Sequence, residues 1–365
     1  MFNLLKKDAD FSMLTRPANV EYHRVFDTVR ETGSPHFLHG AAVTLWQNRL
    51  AVCFAFNRGE ENSATEELLI SFSDDRGMTW TKAENIAAPS GRADSHGVFL
   101  PRDDGLWCFA SSFNGLGEPP LSSKGHRLIH FKDLKMKARR FDGVRWEDMG
   151  AAAEGFWPLG APVRTADGNW LLAGCDTRWY AAAALSRGGD LTKWDVVKPD
   201  TDGEVFTEAG AWVSDDGGSV LLVMRNQSVL TDGRYHAAVS LSTDGGRSFG
   251  ECEISDLPMA AVKPFCGRLS DGRYYLLFNE SIPGKPAARD RLLIGIGNGG
   301  DFGLERFYVV DEGYAAPSGR RLALSYPYAY EHEGRLYIAY SYESAPGMGR
   351  NHNDAMLAVL RTDEL

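Results

Sequence analysis

The sequence predicts an all-β fold, a six-bladed β-propeller of four-stranded antiparallel blades. Three observations carry this reading: a hairpin pattern that recurs six times, a second turn motif that follows most of the hairpins, and the lack of any long helical period. The hairpin is an apolar run, a tight turn with Gly or Asn, and a second apolar run. It appears as GAAVTLWQNRLAVCFAF around Asn48 and as HGVFLPRDDGLWCFAS around Gly105. It returns as APVRTADGNWLLAG around Gly168 and AGAWVSDDGGSVLLVM around Gly217. The last two copies are FCGRLSDGRYYLLF around Gly272 and YAYEHEGRLYIAYS around Gly334. The turns are spaced by about 50 to 60 residues, a period that signals a repeat architecture. Asp-Gly and related pairs supply the positive φ of a two-residue hairpin.

The second motif reads Ser73-x-Asp75-x-Gly77-x-Thr79-Trp80, and again Ser242-x-Asp244-x-Gly246-x-Ser248-Phe249. Its Asp can accept backbone N–H bonds within its own loop. Its Gly supplies a left-handed position, and its aromatic packs between sheets. Degenerate copies lie at Phe141 to Trp146, Ser186 to Trp194 and Gly297 to Phe302. Each module is then two hairpins, or four strands, and six modules make a propeller. Residues 1–365 are read as a single propeller domain, with the segment 1–35 helping to close the ring. Val20 to Val29 is the expected closing strand; the alternative is that it begins a seventh, degenerate blade.

Composition limits the function. Of 365 residues, 39 are basic and 49 acidic, a formal charge of −10. That argues against nucleic acid as a partner, though not against a local basic pocket. No run approaches ~18 apolar residues, so no membrane-spanning helix is expected. The start, with Asp8 and Asp10 close behind two lysines, has no apolar core of a signal peptide. The expected location is cytoplasmic, or secreted or periplasmic if a leader has been removed. Cys53, Cys108, Cys175, Cys252 and Cys266 are odd in number with no CxxC pair, and are read as small buried hydrophobes. No cofactor and no metal are called for. His36 and His39 make half a metal site at most, and the Asp-Gly runs lack the ligand spacing of a calcium loop. The basic run His126 to Arg140 is read as an exposed outer hairpin.

In a propeller the first strand of each blade lines the central channel, and its beginning shares a face with the end of the second strand. Strand-one starts carry His39, His96, Trp157, Glu208, Lys263 and Tyr326. Strand-two ends carry Arg58, Asn114, Asp176 with Arg178, Arg225, Glu280 and Glu343. Nearly every blade thus offers a polar or aromatic group to one face, which suits a pocket for a polar, anionic sugar.

The Ser-x-Asp-x-Gly-x-Thr-Trp element resembles the Asp-box, or BNR repeat, of the sialidase superfamily. KPFCGRLSDGRYYLLFN and ALSYPYAYEHEGRLYIAYS also resemble sialidase-like propellers, and the resemblance covers about residues 35 to 362. It implies a carbohydrate-active enzyme that cleaves a glycosidic bond at a terminal acidic sugar. By resemblance, TEAGAWVSDDGGSVLLVMRN equates Glu208 with the partner of a catalytic tyrosine and Arg225 with one carboxylate-binding arginine. AARDRLLIGI places Arg289 at another, with Arg291 as rival. SYPYAY places Tyr326 near the nucleophile, with Tyr328 as the alternative. An adjacent carboxylate can take the proton of a tyrosine hydroxyl, and arginines fork onto a carboxylate.

Two departures stand out. The family's first-blade Arg-Ile-Pro is replaced by FLHGAAV, with His39 close to the expected arginine. No acid/base aspartate follows the first hairpin; NRGEENSATEE offers Glu60, Glu61, Glu66 and Glu67 instead. A histidine-bearing first blade resembles another propeller branch, which acts on rhamnosyl-glucuronate or ulvan as hydrolase or lyase and uses a channel histidine as acid/base. The catalytic set is therefore Tyr326, Glu208 and His39. Arg225, Arg289, Lys263, His96, Asp176, Arg178 and Tyr328 are the substrate-binding candidates. A non-catalytic glycan-binding propeller is the reading from a different class.

Overall fold

A computed structural model describes residues 1–6, 9, 11, 14–87, 90–315, 321–344 and 351–365. Asp8 and Asp10 of the N-terminal segment lie outside the described residues. Six small antiparallel sheets form a six-bladed β-propeller. Blade 1 is Phe37–Trp46, Arg49–Asn57, Glu67–Ser73 and Glu84–Asn85. Blade 2 is Ala93–Arg102, Gly105–Phe113, Lys135–Phe141 and Trp146–Glu154. In blade 3 the innermost strand is broken into Phe156–Pro158 and Val163–Arg164; Trp170–Asp176, Ala181–Arg187 and Asp190–Val197 follow. Blade 4 is Phe206–Val213, Val220–Asn226, Ala238–Ser242 and Glu253–Ile254. Blade 5 is Phe265–Arg268, Tyr274–Asn279, Arg291–Gly297 and Arg306–Glu312.

Blade 6 joins the two ends of the chain. Its strands Leu324–His332, Arg335–Glu343 and Asn353–Arg361 are followed outward by Glu21–Phe26, which pairs antiparallel with Asn353–Arg361. Among the described residues there is thus no seventh blade; the one further sheet is the short pair Leu230–Thr231 and Arg234–Tyr235, between the second and third strands of blade 4. The chain ahead of this strand runs over blades 4 and 5, where Leu4 is fully buried and its N–H reaches Asp256 at 2.8 Å.

The second strands explain the apolar core. Val52 to Phe56 of blade 1 and Val220 to Met224 of blade 4 are buried on both faces, because each blade is sandwiched between neighbours. The hairpins take the turn their sequences demand: Gln47 and Asn48 both have positive φ (49° and 62°) between the paired Trp46 and Arg49. The Asp-box is a set of local hydrogen bonds repeated nearly atom for atom. Ser73 Oγ donates to Asp75 at 2.8 Å, and Asp75 accepts from Thr79 N at 2.9 Å and Thr79 Oγ1 at 2.6 Å. Ser242, Asp244 and Ser248 reproduce these contacts at the same three distances. A side chain on Gly77 would meet Leu357 of blade 6 at 2.8 Å, so this turn nests against the preceding blade.

Four cysteines are buried and Cys252 is partly buried; all five are free thiols. The basic run is not an exposed hairpin. Leu128, Phe131, Leu134, Met136 and Arg139 are buried, because the run passes from a loop over the mouth into the third strand of blade 2. No helix among the described residues is long and apolar enough to cross a membrane.

Candidate functional site

A bulge at the mouth end of the innermost strands builds the site. In four blades one extra residue enters the strand at the same place: between His39 and Ala42, Ser95 and Gly97, Thr207 and Gly210, and Ser325 and Tyr328. The inserted residues Gly40, His96, Glu208 and Tyr326 have φ of 63°, 42°, 43° and 57°. Positive φ at the three residues with side chains costs of order 1–3 kcal/mol each. The ring of blades imposes it, and bulges commonly re-aim a side chain near a site. Here they turn His96, Glu208 and Tyr326 together at the channel axis. In blade 1 only glycine fits, since a Cβ on Gly40 would lie 2.6 Å from the ring of His96.

Tyr326 and Glu208 face each other across the axis, and the Tyr326 hydroxyl donates to Glu208 Oε1. Arg225 Nη1 donates to Glu208 Oε2 at 2.7 Å and to the Tyr326 oxygen at 3.2 Å. All three side chains are at least nine-tenths buried. Burial alone raises a carboxyl, but the Arg225 charge and the bonds from Tyr326 and Arg225 outweigh it, so Glu208 sits below the usual range. Burial and then the Glu208 charge push the Tyr326 phenol well up. The resting pair is therefore a neutral phenol and a carboxylate that accepts its proton hydrogen bond.

Around this cluster lies an outer cavity of about 790 Å³. His39, Glu61, Asn62, Arg225, Arg289, Glu343 and Asn353 are in its wall, with Tyr326 at its base. Below it a chamber of about 60 Å³ is closed by His96, Phe131, Trp157, Trp179 and Cys175. The Arg225 guanidinium lies 5.0 Å from the ring centroid of Trp179. The His39 ring packs on Tyr326 at 3.8 Å between centroids, with Nδ1 3.1 Å from Ser341 Oγ. Both histidines are held neutral. Burial pushes His96 down to about 3, and burial, with the neighbouring His96 ring and the Arg289 and Arg225 charges, pushes His39 well down. Glu61 is exposed as a residue, while its carboxyl faces Asn351, Arg289 and Arg225. Desolvation at the cavity wall raises it despite those neighbours.

His39, His96, Glu208, Arg225, Arg289 and Tyr326 thus converge. The other candidates go elsewhere. Asp176 is a turn residue: its Oδ1 accepts from Arg178 N at 2.8 Å and Tyr180 N at 3.0 Å, and Lys198 takes its other oxygen. Asn57 and Asn226 end their second strands with the same turn, accepting from Gly59 and Ser228. Arg178, next along, is carried out to solvent, and Trp179 takes the wall position. Tyr328 lies beyond the bulge and packs on Phe265 at 4.6 Å, inside the core. Arg291 is bound to Glu280 at 2.6 Å, off the cavity, which leaves the wall to Arg289. Lys263 is buried beneath Tyr326 and donates to the Pro327 carbonyl at 2.9 Å. Sequence reading left Glu61 as one of four glutamates and missed Trp179; only the path of the loops singles them out. Among the described residues, no three His, Cys, Asp or Glu side chains are grouped to hold a metal ion.

A family model described as a BNR repeat-like domain matches residues 51–338. No curated protein sequence matches the chain. Among solved structures, a protein of unknown function from Dyadobacter fermentans DSM 18053 superposes with a TM-score of 0.67 at 18% identity, over 94% of this chain and 99% of that one. The intramolecular trans-sialidase from Ruminococcus gnavus, in complex with oseltamivir carboxylate, gives 0.65 at 14% identity, over 90% and 95%. A Trypanosoma rangeli sialidase, in complex with 2,3-difluorosialic acid as a covalent intermediate, gives 0.64 at 13% identity. That match covers 96% of this chain and 60% of the longer one. What these chains share at such identities is the fold.

Proposed function

The chain belongs to the BNR repeat-like domain family, and from that premise we propose that it is a sialidase-like glycoside hydrolase. Its substrate is a glycan with a terminal carboxylate-bearing sugar. One observation carries the reading: a buried tyrosine hydroxyl that donates to a carboxylate held ionised by an arginine. Tyr326 is the nucleophile. As its oxygen bonds to the anomeric carbon, its proton passes to Glu208 and the glycosidic C–O bond breaks. Glu61, the raised carboxyl on the wall, protonates the leaving oxygen. In the second half, water gives a proton to Glu61 and attacks the anomeric carbon, and Tyr326 leaves and recovers its proton from Glu208.

Arg225 and Arg289 take the sugar carboxylate, in keeping with the bidentate habit of guanidinium. His39, close to where the resemblance expects a first-blade arginine, offers the sugar a hydrogen bond from a neutral ring in place of a charge. The anion is then held by two cations, and the hydroxyl-bearing face meets imidazole and indole. The test is Tyr326→Phe, assayed on 4-methylumbelliferyl sialosides and glucuronides and on rhamnosyl-glucuronates. Turnover should vanish while a carboxylate sugar still binds. Undiminished turnover in the variant would overturn the reading. Binding without turnover by the wild-type chain on every substrate would favour a glycan-binding propeller.

A further inference from the structure

Lys263 is 4% exposed, and among the described residues its ammonium makes no ion pair. It lies at the mouth end of blade 5, just before the strand Phe265–Arg268. Its Nζ donates to Pro327 O at 2.9 Å and to Pro264 O at 3.4 Å, and stands 6.0 Å from the centroid of the Tyr326 ring. The Pro327 carbonyl belongs to the bulge that turns Tyr326 to positive φ. A lone buried cation is costly unless something uses its charge. Here it lies at the limit of cation–ring attraction from a phenol that must shed a proton.

We propose that Lys263 is a positioning residue for Tyr326: its ammonium clamps the Tyr326–Pro327 bulge and supplies positive charge beneath the phenol as the proton passes to Glu208. This rests on Tyr326 as the nucleophile. The charged and titratable groups around Lys263 are Glu208, Arg225, Arg289, the neutral His39 and His96, Tyr326, and Cys266, whose thiol burial keeps protonated. Only Glu208 is an anion, and Arg225 already engages it. The Lys263 charge is therefore free to act on the phenol. Burial pushes Lys263 down to about 8, so its effect should fade on the alkaline side.

The test needs no sugar. Methanesulfonyl fluoride forms a bond from sulfur to the tyrosine oxygen, fluoride leaves, and the phenol proton passes to Glu208. Labelling of Tyr326 is followed by peptide mass spectrometry in wild type, K263Q, K263R and E208Q, each checked by circular dichroism to be folded at the labelling temperature. K263Q keeps a donor for Pro327 but no charge, and K263R keeps the charge. K263Q should label roughly 10-fold more slowly below about pH 8, the gap should close above it, and K263R should stay within about threefold of wild type. If E208Q slows labelling while K263Q matches wild type, the proposal fails and the nucleophile reading stands. If K263R is as slow as K263Q, shape and not charge is at work, and the proposal fails. If Tyr326 is not labelled, or E208Q has no effect on it, the activated tyrosine and the proposal fall together.

Discussion

Glu208 stays ionised although buried because Arg225 and the Tyr326 hydroxyl together replace its hydration. Removing that carboxylate deprives the phenol of its base and Arg225 of its counter-charge. Glu208→Gln should lower kcat by about 10²–10⁴ and cost about 3 kcal/mol of stability, read by steady-state kinetics and urea melts. The pH profile follows from two carboxyls. Glu208 is depressed and must be ionised, so activity falls as pH drops below the usual carboxylate range. Glu61 is raised and must be protonated, so activity falls as pH climbs through its value. Glu61→Gln should remove the limb that Glu61 sets and leave only the fall at about pH 8 where Lys263 loses its charge. Because His39 and His96 are neutral throughout this range, His96→Gln should move neither limb. Tyr326, Glu208 and Arg225 were legible from strand ends, whereas Arg289 was reached only through the family resemblance of AARDRLLIGI. Asp176, Lys263 and Tyr328 were misassigned because alternation along a strand does not reveal a bulge or an Asx turn.

The bulged inner strand is the element that makes a site out of a repeat. Four copies insert one residue at the same height, and three of the insertions re-aim a side chain toward the channel axis. The glycine copy is informative, since Gly40 leaves the space that the His96 ring fills. Gly40→Ala must strain a φ of 63° and displace that ring. The expected result is a loss of about 1–3 kcal/mol in stability together with reduced turnover. Asp-boxes do a different job at the outer turns. Bonds from Thr79 to Asp75, and from Ser248 to Asp244, hold both carboxyls down to about 2. A depressed carboxyl stabilises the fold above its unfolded value, near 3.9, and that contribution is lost as pH falls toward about 2. The double variant Asp75→Asn, Asp244→Asn should flatten the fall in melting temperature over that interval. The box was legible because all its bonds are local in sequence. The bulges were not, since the ring imposes them.

At the scale of the molecule, a strand from near one terminus and three from near the other share the sixth sheet. Val25 and Phe26 are buried in that seam, and their burial stabilises it by roughly 3–6 kcal/mol at the upper estimate. Deleting residues 1–26 should lower the melting temperature by several degrees and expose the edge of Asn353–Arg361 to association, read by calorimetry and light scattering. The ring also explains how an acidic chain gathers cations at one place. A formal charge of −10 describes the whole chain, while three cations, Arg225, Lys263 and Arg289, gather from two blades around one carboxylate. The central claim is that Tyr326 forms a bond to the sugar. Incubation with 2,3-difluorosialic acid and a fluorinated uronyl fluoride, followed by digestion and mass spectrometry, tests it most directly. The account predicts a sugar adduct on the peptide carrying Tyr326, lost in Tyr326→Phe. Turnover of an acidic glycoside with no adduct on Tyr326, and with the Phe variant fully active, would contradict it.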